Sequence, residues 1–124
     1  MYLGLNSVPV VHAMLKYIRK ESVFIDAGAN IGYISAIGAG CVGKKGQVHS
    51  FEPVPLYFEK LNEMMLINKR FQIFVNNCAL SDTTGRASID LSNEIIGANT
   101  MVSGLLEDKQ VKETIKINVM RLDE

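Results

Sequence analysis

Two carboxylates close two short strand-like segments in this sequence, and their neighbours suggest a use for both. Val23-Phe24-Ile25 ends at Asp26, and Ala27, Gly28, Ala29, Asn30, Ile31 and Gly32 follow. A buried strand, a glycine turn and a helix make up a nucleotide-binding crossover, with the ligand beyond the strand's carboxyl end. The dinucleotide fingerprint G-x-G-x-x-G has a second glycine so that backbone can approach a pyrophosphate. Asn30 fills that position here. Asp26 would also place negative charge beside the phosphates and repel them. The pattern suits a phosphate-free, cationic ligand instead, and S-adenosylmethionine has that chemistry, with a sulfonium and an α-ammonium. Asp26 can meet the ammonium directly or through water, and the Gly28 turn can bring backbone amides to the carboxylate and sugar. The same residues admit a purely structural reading, in which Gly28 and Gly32 serve a tight turn and close helix packing and Asp26 caps the helix.

Glu52 weighs against that structural reading. It ends the second strand twenty residues after Gly32, where an acidic residue accepts hydrogen bonds from both hydroxyls of an adenosine ribose. A carboxylate offers two acceptors to a vicinal diol. In isolation a Glu before a helix is usually a solvated residue; at this spacing after this turn the ribose contact is the better reading. Nicotinamide cofactors present the same ribose, so Glu52 does not separate them from S-adenosylmethionine. Asp26 and Asn30 do.

Other reactive residue types lack partners. His12 falls on or beside a helix stripe and His49 alternates within a strand, with no His or Cys at metal-ligand spacing, so no metal site is expected. Cys41 and Cys78 are too few for a disulfide framework and read as small core residues. Met64 and Met65 read as packing. No Ser-His-Asp or Cys-His arrangement is recognisable.

The elements that position the carboxylates follow from periodicity. Ser7 with Pro9 starts a helix on which Val11, Met14, Leu15 and Ile18 recur, closed by Lys16, Arg19 and Lys20 at its negative dipole end. After the Asp26 turn, a second helix carries Ile34, Ile37 and Cys41 on one face, and Gly43-Lys44-Lys45-Gly46 is a loop. Gln47 to Phe51 is a second strand. Pro55 opens a third helix with Phe58, Leu61 and Met65 as its stripe, up to about Asn68. Phe71, Ile73 and Val75 alternate with Gln72, Phe74 and Asn76 as a third strand. The order α-β-α-β-α-β implies a parallel sheet. Beyond Asp82 come a Thr83-Thr84-Gly85 turn, an alternating Ala87, Ile89, Leu91 run, a loop containing Gly and Asn, and Ile115, Ile117, Val119. These read as strands of an antiparallel appendage, or the second of them extends the main sheet.

Composition sets the outer bounds. The 124 residues make one domain spanning 1–124, 48% hydrophobic and 21% charged, which excludes disordered and fibrous classes. Thirteen basic residues balance thirteen acidic ones, so neither nucleic acid nor an anionic membrane is the expected partner. Lys109, Lys112, Lys116 and Arg121 read as solvated positions. The apolar stretch near Met1 is broken by Asn6, Pro9, His12 and Lys16 and has no cleavage-site pattern, and no run reaches about eighteen apolar residues. A cytoplasmic setting is the expectation.

Three segments together carry a family resemblance. Phe24-Ile-Asp-Ala-Gly-Ala-Asn-Ile-Gly-Tyr33, Gly46-Gln-Val-His-Ser-Phe-Glu-Pro53, and Asn77-Cys-Ala-Leu-Ser-Asp82 followed by Gly85 resemble the FkbM-type methyltransferases. The resemblance runs from about Val23 to the end of the chain. It implies a class I, Rossmann-like α/β fold and S-adenosylmethionine-dependent methylation, generally on oxygen of small molecules or sugars. It assigns Asp26, Gly28, Asn30 and Gly32 to the cofactor loop and Glu52 to the ribose. Asn77 to Ala79 would lie against the adenine, though a polar strand end before Cys78-Ala79 is also an ordinary turn. Tyr33 would flank the methionine part of the cofactor or join the core.

The resemblance also bears on what is missing. The chain stops at Arg121-Leu-Asp-Glu124, which resembles the step just before the family's fourth core strand. The expected fold is therefore incomplete: about three parallel strands with helices, plus a C-terminal β appendage. Catalytic residues are not assigned, because no good general base is recognisable. A non-catalytic Rossmann-like module and a fragment of a nicotinamide-dependent oxidoreductase are the alternatives. Without a fourth strand, Val23 to Ile25 becomes an apolar sheet edge. The expectation is that this edge self-associates or is covered by the chain's own C-terminal strand.

Overall fold

The computed structural model describes residues 8–92 and 111–124. The chain divides into two compact units, residues 1–77 and 78–124.

The first unit follows the alternating pattern. Helix α1 (Val8–Tyr17) has Pro9 in its first turn, where the missing N–H costs nothing, and Lys16 in its last. It buries only Met14. Arg19 and Lys20 lie beyond its end. Strand β1 (Val23–Ala27) leads through the glycine turn to helix α2 (Tyr33–Val42), which Gly43 terminates at φ 76°. Strand β2 (Gln47–Phe51), helix α3 (Pro55–Ile67) and strand β3 (Gln72–Asn76) complete the unit. The sheet is parallel with order β1-β2-β3. Asp26 pairs with Ser50, Ile25 with His49, and Ala27 with Phe51.

Alternation along these strands decides what is inside. Phe24, Val48, Ile73 and Val75 meet Ala39 and Val42 of α2 and Met64 and Met65 of α3 to form the core, and Leu61 is fully buried nearby in the chain on α3. Helix α2 turns a different face inward from the one its apolar residues suggest. Ser35, Gly38, Ala39 and Val42 are buried, whereas Ile34, Ile37 and Cys41 are only partly covered. Small residues let the helix approach Phe24 of the sheet closely, and bulk at those positions would hold it away. The opposite sheet face carries Ile25, His49 and Phe74 in one row across the strands. His49 stacks on Phe74 at 4.9 Å, and Ile25 and Phe74 are exposed.

The second unit is a small sheet of β4 (Ala79–Leu80), β5 (Gly85–Ser92) and β6 (Val111–Met120), in the order β4-β6-β5. Strand β6 runs antiparallel to β5 and parallel to β4. Ile89, Ile117 and Val119 are buried. Directly opposed polar pairs tie the two long strands, Thr114 Oγ1 donating to Asp90 at 2.6 Å and Lys116 Nζ to Ser88 at 2.7 Å. The antiparallel reading of these segments is the one the structure adopts. Strand β6 is bonded on both sides within this sheet, to β4 and β5, and pairs with no described strand of the first unit, whereas extending that sheet or covering β1 as a paired strand was expected of it. The loop read between them in the sequence lies outside the described residues. No described helix is long and apolar enough to cross a membrane.

Candidate cofactor-binding site

The carboxyl ends of β1 and β2 bring Asp26 and Glu52 side by side. Asp26 is the fourth residue of β1 and points inward, 8% exposed, while Glu52 follows β2 and is 4% exposed. Isolated carboxylates at such burial are costly unless hydrogen-bonded. Both are bonded. Glu52 accepts the Asn30 amide on Oε2 and the Val54 amide on Oε1, each at 2.8 Å. Asp26 Oδ2 accepts the Ser35 hydroxyl at 2.6 Å, and the Ser35 backbone amide adds a second bond.

These contacts set the electrostatics. Burial pushes the Asp26 carboxyl above its ordinary value, and the Ser35 bonds pull it back in part. Burial likewise pushes Glu52 up, the Val54 and Asn30 amides oppose it, and the nearby Asp26 charge adds a further upward push. Together they form a pair of acidic groups at the mouth of a parallel sheet, a setting that favours a cation.

Between them runs the turn from Ala27 to Gly32. Gly28 has φ 78°, and a Cβ placed there would meet no atom within 4 Å. Gly32 has φ 94°, and a Cβ there would lie 2.7 Å from Met64 Cε and 3.0 Å from Leu61 Cδ1. The two glycines therefore have different duties. Gly32 lets α2 start against α3, while Gly28 leaves a backbone surface open on the outside of the turn. Asn30 sits at φ 54°, a conformation that Asn tolerates better than most side chains. This explains how the dinucleotide pattern's second glycine can be replaced without losing the turn.

The turn's amides are engaged within the protein. Gly28 and Ala29 both donate to the Phe51 carbonyl at 2.9 Å, Asn30 to Glu52, and Gly32 to the Ala29 carbonyl at 2.9 Å. The sequence reading expected turn amides to reach a ligand; these four instead hold the turn to β2 and to itself. The Asn30 side chain is the exception. Its Oδ1 is buried and is the one buried side-chain polar atom without a partner among the described residues.

Asn77 lies just past β3, its Nδ2 donating to the Glu52 carbonyl at 2.9 Å and the Pro53 carbonyl at 3.3 Å. Asp26, Gly28, Asn30, Gly32, Glu52 and Asn77 thus gather at one end of the sheet in the first unit. Ala79 belongs to β4, in the second. Tyr33 opens α2 and is exposed rather than part of the core. His12 is exposed on α1. Cys41 and Cys78 are free thiols, each half-buried, and burial pushes the Cys78 thiol up.

Sequence reading missed Ser35 and Ser50. Both are fully buried, with their hydroxyl oxygens 2.7 Å apart. Ser50 lies two residues beyond Val48 on the inward face of β2, so a polar residue there was a signal available from alternation.

The residues that carry this arrangement match a described family. The model of the methyltransferase FkbM domain matches residues 26–124. The chain belongs to the FkbM methyltransferase domain family. Among solved structures, the FkbM domain described here is similar to a Clostridium thermocellum protein assigned as an rRNA-methylase, at 14% identity and TM-score 0.56 over 64% of this chain and 43% of that one. That likeness shows the fold. It is also similar to methyltransferase FkbM from Methylobacillus flagellatus KT, at 26% identity and TM-score 0.45 over 55% of this chain and 19% of that one. The FkbM chain thus spans less than half the length of either structure. Comparison with curated proteins gives no match.

Proposed function

We propose that this FkbM domain binds S-adenosylmethionine at the ends of β1 and β2 and serves a methyl transfer to oxygen of a small molecule or sugar. The observation that carries the reading is the pair of buried carboxylates, Asp26 and Glu52, flanking an open Gly28 turn. The residues suit the ligand. Asp26 supplies negative charge for the α-ammonium, and each Glu52 oxygen, after accepting one amide, retains a lone pair for a ribose hydroxyl. The partnerless Asn30 Oδ1 offers another acceptor to a hydroxyl or ammonium. Asn77, fixed to the Glu52 carbonyl, belongs to the wall on the β3 side.

When bound, S-adenosylmethionine supplies an electrophilic methyl group on a sulfonium. The residues in hand would hold and orient it, and orientation of an in-line approach supplies most of the acceleration in such a transfer. Free Cys41 and Cys78 suit a reducing, cytoplasmic setting, which is part of the proposal.

One observation favours a second reading, a Rossmann-like module that keeps the fold without the ligand: the turn amides are satisfied within the protein. Calorimetric titration with S-adenosylhomocysteine, with NAD alongside and Glu52→Ala as control, separates the readings. Binding of S-adenosylhomocysteine alone, weakened by the substitution, is expected. A folded chain that binds neither ligand would favour the module, and NAD binding would favour an oxidoreductase.

A further inference from the structure

Behind the cofactor turn, three side chains form a closed polar chain. Ser50 Oγ lies 2.7 Å from Ser35 Oγ, which lies 2.6 Å from Asp26 Oδ2. The hydrogens can be counted. A hydroxyl carries one hydrogen, and an ionised carboxylate only accepts. With Asp26 ionised, Ser35 must donate to Asp26, and its oxygen must accept from Ser50. The chain then runs Ser50 to Ser35 to Asp26. If Asp26 is protonated and donates to Ser35, the Ser35 hydrogen is released and can turn to Ser50 instead.

Both serines occupy positions where apolar residues pack. Ser35 shares the buried face of α2 with Ala39 and Val42, and Ser50 shares the inward face of β2 with Val48. A fully buried hydroxyl is unfavourable unless bonded, and here the bonds end on a carboxylate. Packing alone does not call for hydroxyls at these sites. A requirement for an ionised Asp26 does.

Resting on the S-adenosylmethionine reading, we propose that Ser35, backed by Ser50, is a positioning residue that holds the Asp26 carboxylate ionised and in one orientation for the cofactor's α-ammonium. The surroundings make such support necessary. Burial disfavours the charge on Asp26, and the Asp26 charge in turn disfavours that on Glu52. The groups facing it from α2 and β2, Ser35 and Ser50, are neutral, and His49 alternates to the other face of the sheet and stacks on Phe74. Hydrogen bonds from the serine chain and the Ser35 amide are what favour the ionised form.

The test is calorimetric titration of the full chain across pH with S-adenosylhomocysteine and 5′-methylthioadenosine, which lacks the ammonium and carboxylate. For the wild type, S-adenosylhomocysteine affinity should rise with pH as Asp26 ionises. Ser35→Ala should move that rise to higher pH and weaken binding about tenfold below it, the scale of a hydrogen bond to a charged group. Affinity for 5′-methylthioadenosine should not change. Equal weakening of both ligands with an unmoved pH profile would mean the serine only packs, overturning the inference while leaving the cofactor reading intact. A folded wild type that binds neither ligand overturns the cofactor reading and the inference with it. Should Ser35→Ala not fold, the Asp26 carboxyl carbon can be titrated by NMR in unliganded wild type and Ser50→Ala. A midpoint moved upward by Ser50→Ala supports the relay, and an unmoved one refutes it.

Discussion

Exchanging Glu52 for Gln keeps the side chain's shape but removes its charge and one of its two acceptors. In the structure each carboxylate oxygen accepts a backbone amide at 2.8 Å, from Asn30 and from Val54. A carboxamide can accept only through its oxygen, so its NH2 must face one of those amides, donor against donor. One buried N–H loses its partner, at a cost of about 1–3 kcal/mol, and the surviving bond is weakened because its acceptor is no longer charged. Relief works in the other direction. A neutral group that is 4% exposed escapes the penalty of burying charge and the repulsion from Asp26. The donor clash is local and unavoidable, whereas the desolvation penalty is already partly offset by the two amides, so the clash should win. A net loss of about 2 kcal/mol lowers Tm by about 10 °C in a unit of this size. The Asn30 amide, less deeply buried than that of Val54, is the one expected to be released. Thermal melting by circular dichroism reads the first quantity, and hydrogen exchange at the Asn30 amide reads the second. An unchanged Tm with undiminished Asn30 protection would show that Glu52 does not hold the turn.

Three further outcomes follow from the same geometry. Asp26 and Glu52 both titrate above their ordinary values in the folded chain, so folding favours their protonated forms; that stabilising contribution is full below the unfolded values and is lost as pH rises through the folded ones. Denaturant unfolding should therefore show the wild type losing stability relative to Asp26→Asn as pH rises out of the ordinary aspartate range, and a difference independent of pH would contradict this. Gly28→Ala should cost about 1–2 kcal/mol for its positive φ alone, whereas Gly32→Ala adds a collision with Met64 and Leu61 and should be the more damaging; equal melting temperatures would refute the distinction between the two glycines. The β1 edge and the exposed Val23 and Ile25 should drive concentration-dependent association in sedimentation, and Val23→Lys should abolish it; a wild type that stays monomeric at high concentration removes that proposal.

The sequence by itself determined the order of elements and the ends of the strands. Val23–Ala27, Gln47–Phe51 and Gln72–Asn76 are short strand segments punctuated by glycine, proline and charge, and that punctuation acts locally, through φ restrictions and hydrophobic alternation. The same local signals placed Asp26 and Glu52 at strand ends and made Gly28 and Gly32 a turn. Tertiary structure decided what those residues touch. Whether Gly32 faces Met64, or Ser35 reaches Asp26, depends on how α2 lies on the sheet, and small residues rather than the most apolar ones set that face. Spacing could nominate Glu52 for a diol, but only pairing of β1 with β2 made its carboxylate the anchor of the Asn30 turn, twenty-two residues away in sequence. The partner of β6 was likewise undecided by alternation, because an alternating strand fits any sheet edge; hydrogen bonding on both sides by β4 and β5 settled it.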